Sequence, residues 1–135
     1  MLGMASLKPS PVLLPTPALA VIDGSLCQLT REGLPARSCP PLATAVAEFV
    51  GGPMCVYVRE HPYGLLPGIA NLYCLDGDLR MMWIAEWPSS CGPCTRIVDA
   101  TGDLLTAESA SGAVVRIDAQ TGRTLQIAQP MAVAG

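Results

Sequence analysis

Residues 71–86 read NLYCLDGDLRMMWIAE, and residues 113–129 read AVVRIDAQTGRTLQIAQ. Laid side by side they match in pattern. Asp76 falls on Asp118, 42 residues on (118 − 76). One extra residue in the second turn then places Trp83 on Gln126 and Ile84-Ala85 on Ile127-Ala128. Tyr73 and Leu75 share a face, as do Val115 and Ile117; Met82 and Ile84 correspond to Leu125 and Ile127. A repeat of about 40–45 residues is the length of one four-stranded propeller blade.

The surrounding sequence fits that reading. After Gly52 come seven short runs rich in β-formers: MCVYVR, NLYCLD, LRMMWIAE, TRIVDA, LLTAES, AVVRID and RTLQIA. Asp76-Gly77-Asp78, Thr101-Gly102-Asp103, Ser111-Gly112 and Gln120-Thr121-Gly122 punctuate them as turns. This predicts an antiparallel meander. Asp23-Gly24 inside ALAVIDGSLCQL is a further hairpin signal, and residues 21–26 read as a degenerate third copy. The stretches REGLPARSCPP and EHPYGLLPG read as loops. One helix is predicted at residues 41–50, where Leu42, Val46 and Phe49 recur at i, i+4, i+7. Pro40-Pro41 open it and Gly51-Gly52 close it.

Half of the 135 residues are apolar, enough for a core, while charged residues make up only 14%. The net charge of −3 argues against a nucleic-acid partner, which needs a basic face to neutralise phosphates. No run of 18 or more apolar residues exists, which argues against a membrane-spanning helix. Residues 1–18 carry no periodic pattern and read as an irregular Pro-rich arm; residues 19–135 read as a single domain. PVLLPTPALA, following Lys8, has the look of an export signal, but Pro11, Pro15 and Pro17 break the helix that such a region prefers. The expectation is therefore a cytoplasmic chain, with export as the alternative. Six cysteines then read as reduced and as small apolar fillers.

The second copy, from Arg116 through Asp118, Thr121-Gly122 and Gln126, resembles the repeat of PQQ-type (quinoprotein-like) β-propellers: a small residue, Asp two on, Thr-Gly after two more, and Trp after three. Here the Asp and Thr-Gly match and Gln126 replaces the Trp; the first copy keeps Asp76 and Trp83 but loses Thr-Gly. The resemblance spans about residues 54–130. It implies blade-like sheets, and short bacterial proteins built of similar strands are another likeness, one that implies no function. A closed propeller takes 4–8 blades, and this chain has length for about three. The quinone cofactor of that family sits on the axis of a full ring, so no cofactor is expected.

Cys91-Gly92-Pro93-Cys94, preceded by Trp83, Ala85-Glu86-Trp87 and followed by Ile97, resembles the active-site stretch of thioredoxins. That resemblance implies a nucleophilic first thiol, its pKa lowered at a helix N-terminus, and a second thiol that resolves the mixed disulfide. Three residues separate Trp87 from Cys91, where thioredoxins have no gap. Thr95–Ala100 read as a strand where the chemistry needs a helix. Zinc would need Cys55, Cys74 or His61 to join the pair, since a closed site takes four ligands. His61 beside Glu60 is a candidate base without a nucleophile. The turn aspartates, Asp76, Asp78, Asp99, Asp103 and Asp118, are explained by turn formation without calcium.

The sequence therefore predicts a mainly β protein (α+β by its one helix): two blade-like antiparallel sheets, propeller-like but too short to close. No catalytic, cofactor or metal residue is assigned. The expected function is that of a non-catalytic, interaction or structural module, partnered by protein or by itself, with thiol-disulfide exchange at Cys91 and Cys94 as the alternative. Met81, Trp83 and Trp87 form the candidate interaction surface, because Gln126 leaves the Trp83 position without an apolar counterpart. The helix at 41–50 or a partner chain is the expected cover for it.

Overall fold

The computed structural model describes residues 18–129. The expected arm at residues 1–18, with its signal-like stretch, lies outside the described residues apart from Ala18, which opens the first strand. Among the described residues eleven strands form three antiparallel sheets, and none of these sheets closes into a barrel.

The first sheet holds β1 (Ala18–Ile22), β2 (Ser25–Leu29) and β3 (Pro35–Cys39) in that order. The expected hairpin is there: Asp23 and Gly24 both take positive φ, 51° and 79°, as a two-residue turn matched to strand twist requires. Asp23 thus turns the chain between the first two strands of its sheet, whereas Asp76 and Asp118 sit between the last two of theirs. The predicted loop over REGLPARSCPP contains β3. It is an edge strand whose residues from Pro35 to Ser38 are exposed, so no apolar alternation betrays it.

The second sheet is β4 (Val46–Gly51), β5 (Cys55–Glu60), β6 (Leu72–Asp76) and β7 (Met81–Ile84). The predicted helix at 41–50 is a turn followed by β4. Its supposed stripe does not hold, since Val46 is buried while Leu42 is 48% exposed. The N–H groups of Leu42, Ala43 and Thr44, which would open a helix, donate instead to the carboxylate of Glu60 on β5. A long-range partner thereby overrides a local pattern.

The third sheet is β8 (Cys94–Thr101), β9 (Leu104–Ser109), β10 (Val114–Asp118) and β11 (Thr124–Ala128). All seven strands expected after Gly52 are present. The second sheet lies between the other two. Val56, Val58, Tyr73 and Leu75 face the first sheet with Leu26 and Val46, while Tyr57, Leu72, Cys74 and Trp83 face Leu105, Ala107, Val115 and Ile117 of the third. This explains the unbroken apolar runs of β5 and β6: both faces are covered. In β9 and β10 burial alternates, because only one face meets a neighbour. The free face carries Arg96, Thr106, Glu108 and Arg116, with an Arg96–Glu108 ion pair at 3.6 Å.

The repeat is visible in detail. Asp76 Oδ1 accepts the N–H groups of Asp78 and Arg80, and Asp118 Oδ1 accepts that of Gln120. Leu79 (φ 61°) and Gly122 (φ 80°) take the same left-handed step in the two turns. Met82 in β7 and Leu125 in β11 are each the extra residue of a β-bulge.

Candidate functional site

Trp83, the anchor of the expected interaction surface, is internal. Its ring lies against Gly122, so closely that a Cβ there would stand 2.6 Å from Cε3. Its Nε1 donates to the carbonyl of Ala119 at 3.1 Å. Tyr57 tilts against the ring at 6.1 Å between centroids. The cover is therefore the turn of the second repeat, with neither a helix nor a partner chain needed. Met81 is exposed on β7, and Trp87 is half-buried against the core. Of the three, Met81 alone is exposed.

Cys91-Gly92-Pro93-Cys94 is the crossover between the second and third sheets. Cys91 ends a single 3-10 turn, Ser89–Cys91, and Cys94 begins β8. Thr95–Ala100 are strand, so no helix follows the first thiol. Backbone bonds hold both ends: Ala110 N–H to Pro93 O at 2.9 Å and Ser111 N–H to Cys91 O at 3.0 Å. Asn71, fully buried, clamps Cys94 from both sides, accepting its N–H at 2.9 Å and donating to its carbonyl at 2.8 Å. Asn71 Nδ2 also donates to Glu60 O, so one amide ties β5, β6 and β8. Both thiols are buried, and all six cysteines are unpaired. Burial pushes the Cys94 thiol up to about 12, outweighing the lowering influence of the Arg96 backbone and of the Arg59 charge. Cys74 is raised too, by burial first and then by Cys55.

Glu60 turns inward, away from the role of partner to His61. It is fully buried. Besides the three N–H groups of residues 42–44 at 2.6–2.9 Å, its Oε2 accepts the Tyr73 hydroxyl at 2.6 Å. Burial works to raise its pKa, but the bonds from Thr44, Tyr73, Leu42 and Ala43 win and hold it below the ordinary carboxylate value. Tyr73 is pushed up by burial and by Glu60. A second carboxylate, Glu48, bonds Arg59 at 2.6 Å and the Ile97 N–H at 2.8 Å, joining β4, β5 and β8. These polar groups fasten sheets together. Asp76 and Asp118 serve their own turns, Asp103 accepts Gln120 Nε2 and Asp78 pairs with Arg37, and among the described residues no group of three or more His, Cys, Asp or Glu is placed to hold a metal. No helix among them is long and apolar enough to cross a membrane.

Sequence reasoning read EHPYGLLPG as a loop but assigned no surface to residues 61–70. HPYGLLPGIA makes two successive reverse turns, closed by Leu65 N–H to Pro62 O and Ile69 N–H to Leu66 O, both at 3.2 Å. Gly64 (φ 79°) and Gly68 (φ 82°) supply the positive φ each turn needs at its third residue. With the turns so fixed, Tyr63 is 84% exposed and Leu66 71% exposed, and Ile69 is exposed beside them. This loop and the Trp87–Pro93 crossover border a half-open, mainly apolar cavity of about 380 Å³, whose walls include Leu65, Leu66, Pro67, Ile69, Trp87 and Ser89. Trp87 Nε1 is spent on the Gly92 carbonyl at 2.6 Å, so the indole offers the cavity apolar surface alone. The signal in the sequence was four large apolar residues, Tyr63, Leu65, Leu66 and Ile69, within a Gly/Pro-punctuated loop, where polar residues are usual. A search against protein-family models and curated proteins finds no match to this chain.

Proposed function

We propose that this chain is a non-catalytic protein-interaction module of propeller-blade type, and that it works through the loop at residues 61–70 and the cavity beside it. The observation that carries the reading is the uncharged surface made by Tyr63, Leu66 and Ile69 around a mainly apolar cavity of a size that holds side chains or small ligands. Glu48, Glu60 and Asn71 are consumed in fastening strands together and the thiols of Cys91 and Cys94 are buried, which supports a binding rather than a chemical role. We read the repeats as PQQ-type. The turn of the second copy meets the Trp of the first, which supports that reading, as does the shared step at Leu79 and Gly122. Six unpaired thiols fit a reducing compartment such as the cytoplasm, and the acidic balance suits a protein partner better than nucleic acid.

The test compares proteins cross-linked to the wild-type chain with those cross-linked to Leu66→Lys, a substitution at an exposed site. The expected result is loss of a defined partner set. An unchanged set overturns the reading. Insulin reduction by wild type and Cys91→Ser addresses the alternative: equal, near-zero rates are expected, and a Cys91-dependent rate would restore thiol-disulfide exchange.

A further inference from the structure

Three sulfur atoms meet on neighbouring strands of the second sheet. Cys55 opens β5 and Cys74 lies on β6; with Cys55 opposite Asp76 and Tyr57 opposite Cys74, the two cysteines are diagonal neighbours. Both side chains sit on the side of the third sheet, and the Cys55 thiol is hydrogen-bonded to Cys74. Met82 on β7 completes the group. Trp83 is paired with Cys74 and shares its face, so strict alternation would turn Met82 away. The bulge at Met82 re-aims it, and its Sδ stands 4.0 Å from Cys74 Sγ. Gly52 leaves the Cys55 sulfur approachable, since a Cβ there would stand 2.8 Å from Sγ. Cys55 also lines a half-open cavity of about 480 Å³, together with Met54.

These sulfurs have the spacing of a metal centre rather than of a disulfide. Diagonal partners in a sheet have Cα atoms ~7–8 Å apart, beyond the ~4.4–6.8 Å that a disulfide spans. An ion held by three sulfurs at ~2.3 Å each keeps those sulfurs ~4.0 Å from one another. That is the separation of Cys74 and Met82. Thiols and a thioether select soft ions such as Cu(I), whereas zinc closes its sites with four ligands drawn from Cys, His and carboxylate. Negative charge favours a cation here: that of Asp76 reaches Cys74, and that of Asp103 reaches Tyr57, whose hydroxyl is bonded to Cys55. We propose that Cys55, Cys74 and Met82 form a binding site for one Cu(I) ion, entered from the cavity beside Cys55. As the ion enters, the two thiol protons pass to solvent and each sulfur gains a bond to the metal. Copper stays Cu(I) throughout, so no oxidant or reductant is consumed. The site shares no residue with the loop at residues 61–70, and neither reading depends on the other.

Competition with a coloured Cu(I) chelator, bathocuproine disulfonate, tests the site on the full, reduced chain without air. The wild type should withdraw one copper per chain. Cys55→Ser and Cys74→Ser should each weaken binding at least ~100-fold, since even groups that only support a metal's ligands are worth ~10–100-fold. Met82→Leu should weaken it ~10-fold. Met82 is 52% exposed and leucine keeps its bulk, so folding of that variant is not at issue, and far-UV circular dichroism checks the cysteine variants. Cys91→Ser, on the crossover, should leave binding unchanged. X-ray absorption at the copper edge should show three sulfurs at ~2.3 Å and neither nitrogen nor oxygen. A wild type that takes no copper from the chelator, or binding indifferent to Met82→Leu, would overturn the assignment. So would copper held by Cys55→Ser but lost from Cys91→Ser, or a nitrogen or oxygen atom in the copper shell.

Discussion

Replacing Gly122 with Ala strikes the contact that joins the two repeats. Two effects add. Gly122 holds φ at 80°, which a residue with a Cβ adopts at a cost of about 1–2 kcal/mol. The new Cβ would also stand 2.6 Å from Cε3 and 2.8 Å from Cδ2 of Trp83, inside contact distance of a ring that cannot bend away. Trp83 is fixed on its other edge by Nε1 to Ala119 O and by Tyr57, so the second and third sheets must part slightly. Overpacking of this kind costs about 1–3 kcal/mol. The expected loss is therefore about 2–5 kcal/mol, a large share of a typical domain's stability. Urea unfolding, followed by tryptophan fluorescence and by circular dichroism, should show a lower midpoint at unchanged m, with the two probes coincident. The partition is tested by repeating the substitution in Trp83→Leu, which removes the ring. There the loss from Gly122→Ala should shrink to the backbone part, about 1–2 kcal/mol. The difference between the two backgrounds is the coupling energy. Equal losses with and without the ring, or a loss under about 0.5 kcal/mol in the wild type, would refute the docking of one repeat on the other as a source of stability.

Three further outcomes follow from the fastenings between sheets. Glu60→Gln puts N–H donors against N–H donors at residues 42–44 and should destabilise by about 2–4 kcal/mol at neutral pH. Because the folded pKa of Glu60 is depressed, its contribution is present above the unfolded value of about 4.3 and is lost as pH falls through the folded one. Wild type and variant should therefore converge in acid, as thermal unfolding over a pH series would reveal. Asn71→Ala takes the side-chain partner from the buried N–H and carbonyl of Cys94, and one of two donors from the Glu60 carbonyl, and should cost about 2–4 kcal/mol by urea unfolding. Titration with an aromatic disulfide reagent should find Cys39 and Cys55 fast and the buried Cys27, Cys74, Cys91 and Cys94 slow until denaturant is added. Fast reaction at Cys94 would contradict its burial.

The parts of the fold legible in the sequence were those written in local periodicity. The seven strands after Gly52 could be read because β-formers alternate with turn residues, and the repeat could be read because Asp76 and Asp118 do the same backbone work. Failures came where long-range partners decide. Residues 41–50 look helical only until the Glu60 carboxylate, sixteen or more residues away, takes the N–H groups that would start the helix. The exposed edge strand β3 has no apolar face to announce it. Trp83 was rightly seen to need a cover, but the cover is Gly122, 39 residues on, and a glycine in a turn does not signal that a ring lies against it. Cys91 and Cys94 show the converse: letters shared with a redox motif, placed where backbone bonds and Asn71 use them as a corner.

The bulges at Met82 and Leu125 bear on how this chain avoids polymerising. β7 and β11 end their sheets, and both carry apolar side chains in water: Met81 and Ile84 on one, Leu125 and Ile127 on the other. A flat edge of that composition would template a neighbouring strand and grow as a fibre. An extra residue in the middle of each edge breaks the register an incoming strand must follow, so no run of more than three or so residues stays in phase. Deleting Leu125 or Met82 would straighten the edge, and fibre formation, rather than unfolding, is the fault such a deletion should expose.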